Sequence, residues 1–172
     1  MQPDPLFRQS GTTLIEVLIS ILVLAIGLLG AAALQLNALK YTDSSRMTSQ
    51  ASFIAYDMMD RIRANVDGNS SSNGVTDVLS TYAISATDAA PAPSLNNARN
   101  QDLADFKSNI LTFGGASATG SIAVAKPVVT ITITWDDSRA IMGNDAVRAS
   151  NPASTMRTFT ISSRIGVNPV TP

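Results

Sequence analysis

The chain has 172 residues, with 12 Lys and Arg against 13 Asp and Glu for a net charge of −1. It contains no Cys and no His, which excludes thiol nucleophiles, disulfides, iron–sulfur clusters, the usual zinc sites and every His-based general base. The balanced charge offers no basic surface for nucleic acid. With only 15% charged residues and a mean hydropathy of +0.16, part of the chain is expected to lie outside water.

Residues 1–11, MQPDPLFRQSG, are polar and carry a single basic side chain, Arg8. Thr12-Thr13-Leu14-Ile15-Glu16 follow, and from Val17 to Leu39 no charge occurs over 23 residues. As a helix that stretch spans roughly 35 Å, enough to cross a hydrocarbon core of roughly 30 Å. A buried soluble helix is usually shorter and alternates with polar positions. A cleaved secretory signal is the competing reading, with Ala31-Ala32-Ala33 as an A-x-A-like site. Against it, such signals have an apolar stretch of about 7–15 residues, and here Glu16 stands at the head of a longer one. An unpaired carboxylate buried in a membrane helix costs about 2.5 kcal/mol or more. Glu16 therefore either has a partner or snorkels to the headgroups, where the helix dipole also favours it.

The helical pattern continues beyond the apolar stretch. Leu36, Leu39, Met47, Ala51, Ile54, Met58 and Ile62 recur mostly three or four apart and predict an apolar stripe. Asp57 and Arg61 form an i,i+4 pair on the exposed face, and Asn65-Val66-Asp67-Gly68 is a stop signal. One helix of roughly 50 residues results, apolar all round in its first half and amphipathic in its second. Sustained heptads with charged flanks are missing, which argues against a coiled coil.

Residues 69–100 read as loop with one short element around Val75–Ile84. Asn100-Gln101-Asp102 before Leu103, Phe106, Ile110 and Leu111 suggests a short capped helix, ended by Gly114-Gly115. Three strands follow, at Ser121–Lys126, Val128–Trp135 and Arg157–Ile165. In the second, Val129, Ile131, Ile133 and Trp135 alternate with Thr130, Thr132 and Thr134; in the third, Phe159 and Ile161 alternate with Thr158 and Thr160. Period two with threonine outside predicts an antiparallel sheet with one dry face, to be covered by the stripe of the first helix. The fold class is α+β. The connection from Asp136 to Thr155 is long and has no cysteine to staple it. Its Asp136-Asp137 and Gly143-Asn144-Asp145 suggest a calcium loop as the alternative, but their spacing fits no EF-hand and adjacent acids in a turn are usually turn formers.

Gly11-Thr12-Thr13-Leu14-Ile15-Glu16, behind a short leader with Arg8 and ahead of an uninterrupted apolar helix, resembles the class III leader of type IV pilins and type II secretion pseudopilins. Thr12 replaces the usual Phe. The resemblance implies a pilin-like α+β fold in which a long N-terminal helix packs on an antiparallel sheet. It further implies a leader at 1–11, a transmembrane and filament-core helix at 12–39 and a periplasmic head at 40–172. A prepilin peptidase would cut between Gly11 and Thr12 at the cytoplasmic face and methylate the new amine of Thr12. Glu16 would neutralise an N-terminal ammonium on a neighbouring subunit during assembly. The protein would sit first in the inner membrane as a single-pass subunit, then in an extracellular pilus.

Within that superfamily the chain looks most like PilV-type minor pilins. The carriers are Glu16-Val17-Leu18, the run from Ala25 to Gly30, the run from Phe53 to Arg63, a short helix with Asp102 and Phe106, Gly114-Gly115 and the strand Val129–Trp135. The function so implied is to prime assembly of a type IV pilus and to occupy the filament near its tip. Its partners would be other minor pilins, the major pilin, the prepilin peptidase and a tip adhesin, with no cofactor, metal or nucleic acid. A pseudopilin of a type II secretion system is the rival, since its leader is indistinguishable by residue type. An enzyme is disfavoured because Gly-x-Ser-x-Gly, phosphate-loop and HExxH patterns are absent. A membrane-tethered binding protein would keep residues 1–11 or be cut after Ala33.

Overall fold

The computed structural model describes residues 13–68, 78–138 and 155–165. Two compact units divide the chain, Met1–Lys40 and Tyr41–Pro172. Helix α1, Leu14–Gly68, runs for 55 residues. It contains no proline, and its hydroxyls bond back within the helix: Ser20 Oγ donates to Glu16 O at 2.8 Å and Thr48 Oγ1 to Ser44 O at 3.0 Å.

In the first unit the apolar side chains from Leu14 to Leu39 are all exposed. An 18-residue window of α1 near the N-terminus has mean hydropathy 2.8 and no buried residue, long and apolar enough to cross a membrane. Exposing that much aliphatic surface to water is strongly unfavourable, at about 25 cal/mol per Å². The segment is therefore built for a covering of lipid or other helices.

In the second unit α1 turns Met47, Ala51, Ala55, Met58, Met59, Ile62 and Val66 into the core. The expected stripe is corrected at its upper end: Leu36 and Leu39 are 56% and 67% exposed, because they belong to the first unit and have no core to face. The expected helix near Asn100 begins earlier. Helix α3 covers Ala98–Gly114, and Asn97 caps it by accepting the Asn100 N–H at 3.1 Å. Between them lie the short helix α2, Val78–Thr81, and a 3₁₀ turn at Thr87–Ala89.

Strands β1 (Thr119–Ala125), β2 (Val128–Asp136) and β3 (Met156–Arg164) form an antiparallel sheet in the order β1-β2-β3. β1 starts two residues before the expected Ser121, where Thr119 pairs with Thr134. A cis Lys126–Pro127 bond turns β1 into β2. Ile84 adds a bridge on the far side of β1, exchanging both backbone hydrogen bonds with Ile122 at 3.0 and 2.9 Å.

One sheet face is dry, with Ile122, Val129, Ile131, Ile133 and Trp135 all buried. The other carries hydroxyl pairs across β2 and β3: Thr130–Ser162, Thr132–Thr160 and Thr134–Thr158, at 2.8, 3.3 and 3.2 Å. The dry face packs in one core with both α1 and α3, so the expected cover by α1 is shared. Arg63 of α1 donates to Ser163 Oγ of β3 at 3.2 Å. On α3, Ile110 and Phe106 press so close to β1 that a Cβ at Gly120 would collide with both. The result is α+β and pilin-like: a long N-terminal helix packed on a three-stranded antiparallel sheet.

Candidate functional site

Gly11 and Thr12 lie outside the described residues, and the first turn of α1 begins directly after them. Thr13 caps that turn. Its carbonyl accepts the N–H groups of Glu16 and Val17 at 3.1 and 3.3 Å, and its Oγ1 lies 3.4 Å from the Glu16 N–H. This is one half of a capping box, Thr-x-x-Glu, with Glu16 at the third helical position. Glu16 itself is exposed, and it is the sole charged residue from Thr13 to Leu39. Its carboxylate stands at the positive end of the helix dipole, beside a surface of Leu14, Ile15 and Leu18 that is largely bare. Chemically this end of the helix presents one anion on an apolar rod. It can pair with a cation where water is excluded, and such attraction rises as the local dielectric falls.

The head carries a second polar assembly. Arg61 reaches three carboxylates: Nε bonds Asp57 at 2.9 Å, and Nη1 lies 3.0 Å from Asp105 and 3.4 Å from Asp102. Asp102 also accepts the Tyr82 hydroxyl at 2.7 Å, and Tyr82 in turn accepts from Asn65 Nδ2 at 2.6 Å. Burial would lower the Arg61 pKa, but the charge of Asp57, with the hydrogen bonds that Arg61 donates to Asp57, Asp102 and Asp105, outweighs it and raises the value. Burial, then the bond to Asp102, pushes the Tyr82 phenol up as well. The expected Asp57–Arg61 surface pair is thus one edge of a network joining α1, α3 and the segment after α2. Periodicity cannot show this, because the acceptors lie 41 and 44 residues away.

Beside the start of α3 a groove of about 530 Å³ is lined by Asn65, Val78, Thr81 and Arg99. Arg99 is engaged there, donating to Thr81 O at 2.8 Å and to Asn100 Oδ1 at 2.9 Å. Among the described residues no three carboxylates gather as a metal site. Asp136 forms the turn expected of it, its Oδ1 accepting the Ser138 N–H at 2.9 Å. Asp137 does not: it is 1% exposed. Gly143, Asn144 and Asp145 lie outside the described residues.

Residues 6–32 match the prokaryotic N-terminal methylation motif, a family found in type IV pilins and pseudopilins. The matched segment spans the Gly11–Thr12 junction, Glu16 and the apolar stretch as far as residue 32. No curated protein and no solved structure matches the chain. The protein is therefore like type IV pilins and pseudopilins: its N-terminus carries their methylation motif, and its apolar N-terminal helix is consistent with their membrane anchor.

Proposed function

We propose that the protein is a minor pilin, a structural subunit of PilV-like type that primes assembly of a type IV pilus and enters the filament near its tip. The observation that carries this reading is the matched segment 6–32, in a chain that also has a long apolar N-terminal helix and a three-stranded antiparallel sheet. Processing follows chemically. A membrane-embedded prepilin peptidase cuts after Gly11, whose missing side chain lets an extended peptide enter a crowded site, and methylates the amine of Thr12. Cutting ahead of Leu14 leaves the apolar rod on the mature chain, first as inner-membrane anchor and then as filament core, with the head in the periplasm. Other minor pilins, the major pilin and a tip adhesin are its partners, and the subunit carries no catalytic role and no nucleic-acid site of its own.

Intact mass and N-terminal sequencing of protein from membranes test this. The expected mature chain begins at N-methylated Thr12, and Gly11→Ala reduces cleavage sharply. A chain beginning at Leu34 would sink the proposal. Co-purification separates the two pilin-like roles: pilus subunits as neighbours support the minor pilin, whereas secretion-system subunits would assign the chain as a pseudopilin.

A further inference from the structure

The inward positions of β2 are Val129, Ile131, Ile133 and Trp135, all at most 1% exposed, and the next in the series is Asp137, also 1% exposed. A carboxylate ends a row of apolar side chains. Taking an ionised group out of water is costly unless it is paired and hydrogen-bonded, and here two segments partner the carboxylate while a third bonds the backbone of the same residue. Ser44 Oγ of α1 donates to Asp137 Oδ2 at 2.5 Å. Arg157 Nε of β3 lies 3.5 Å from the same oxygen. The Asp137 backbone N–H donates to Thr155 O at 2.9 Å, which brings together the two ends of the connection between β2 and β3. Ser44 lies 93 residues from Asp137 in sequence.

We propose that Asp137 is a noncovalent staple that closes the base of the 138–154 connection and fixes that end of the β2–β3 pair to α1. The chain has no cysteine, so no disulfide can serve this purpose. The carboxylate is a fit substitute because one buried oxygen engages a helix hydroxyl and a strand guanidinium at once, while the amide of the same residue closes the backbone. Asp136, one position earlier, faces outward and turns the chain through Ser138. The two adjacent acids thus divide the work between turn and anchor.

Amide hydrogen exchange of the full chain in detergent tests the staple. The reporter is the Asp137 amide bonded to Thr155 O; the reference is the Ile165 amide, bonded to Pro127 O at 2.8 Å at the opposite end of the same strand pair. Asp137→Asn keeps the shape and removes the charge, and Ser44→Ala removes the helix contact. Each is expected to speed exchange at residue 137 about tenfold, the equivalent of one lost hydrogen bond, with Ile165 unchanged. Because Ser44 and Arg157 both act through Asp137, adding Ser44→Ala and Arg157→Gln to Asp137→Asn should change residue 137 little further. Wild-type exchange at residue 137 in Asp137→Asn would overturn the staple. So would equal acceleration at Ile165, which would mean a general loss of stability.

Discussion

Tyr82 is fully buried with its hydroxyl wedged between Asn65 and Asp102, at 2.6 and 2.7 Å. Ionising it would place a phenolate in a dry site against a carboxylate, so the folded state holds the phenol proton more tightly than the unfolded chain does. A raised folded-state pKa gives stability that is complete below the unfolded value, about 10 for tyrosine, and that is lost as pH rises past it toward the folded value. The thermal midpoint of the head should therefore hold as pH approaches 10 and decline above it, over and above any background alkaline loss. Tyr82→Phe should remove that added decline at a cost of about 1 kcal/mol at neutral pH, from the lost hydrogen bonds. Thermal melts of both proteins from pH 7 to 11.5 would decide it; equal alkaline slopes would refute the linkage.

At the scale of elements, α1 serves two environments with one backbone. Its first stretch shows apolar side chains on every side, and its second narrows them to the row from Met47 to Val66. Ala51 and Ala55, both fully buried, let the helix approach the core closely where larger side chains would hold it off. Leu36 and Leu39 lie before that row, so the fragment to test begins at Tyr41. It should be soluble, folded and cooperative in its melting, with a midpoint unmoved by reductant, since there is no cysteine to reduce. Far-UV circular dichroism with gel filtration measures this. Aggregation would show that the row from Met47 to Val66 is not covered by the fragment's own sheet and α3.

For the molecule as a whole, the proposed function gives the charge at the start of α1 the part of recruiting neighbours during assembly. In the proposed filament Glu16 faces the ammonium of a neighbour, and cleavage precedes that contact. Glu16→Gln should therefore be cut and inserted like wild type, yet recruit partner pilins poorly. Orphaning a buried charge typically costs about 3–5 kcal/mol, enough to depress association by orders of magnitude. Membrane cross-linking to partner subunits, with a count of sheared filaments, reads the effect. Normal recruitment and piliation would leave Glu16 a snorkelling carboxylate.

How much of this was legible in advance follows from the range of the forces involved. An apolar row at spacing three or four, or at spacing two, is a local record of which side will be dry, so α1 and all three strands could be read from neighbours alone. Val129, Ile131, Ile133 and Trp135 are buried where their alternation puts them. The same alternation carried one step further places Asp137 inward, a signal hidden because an adjacent acidic pair looks like a turn. Tyr82 and Ile84 carried no such record. They sit in a stretch of serine, alanine and asparagine, and they are buried by Asp102 and by the bridge to Ile122. Asn97 rather than Asn100 caps α3 for a related reason: either residue type can cap, and the choice depends on where the preceding chain delivers the helix. The apolar rod, its single charge, the motif before it and the alternating strands are all written in adjacent residues and so follow from local patterning. Packing alone settles where the apolar row of α1 begins, that Arg61 also reaches Asp102 and Asp105, and that Ser44 and Arg157 meet at Asp137. Those contacts join residues tens of positions apart, and only the folded packing of helices on sheet brings them within bonding distance.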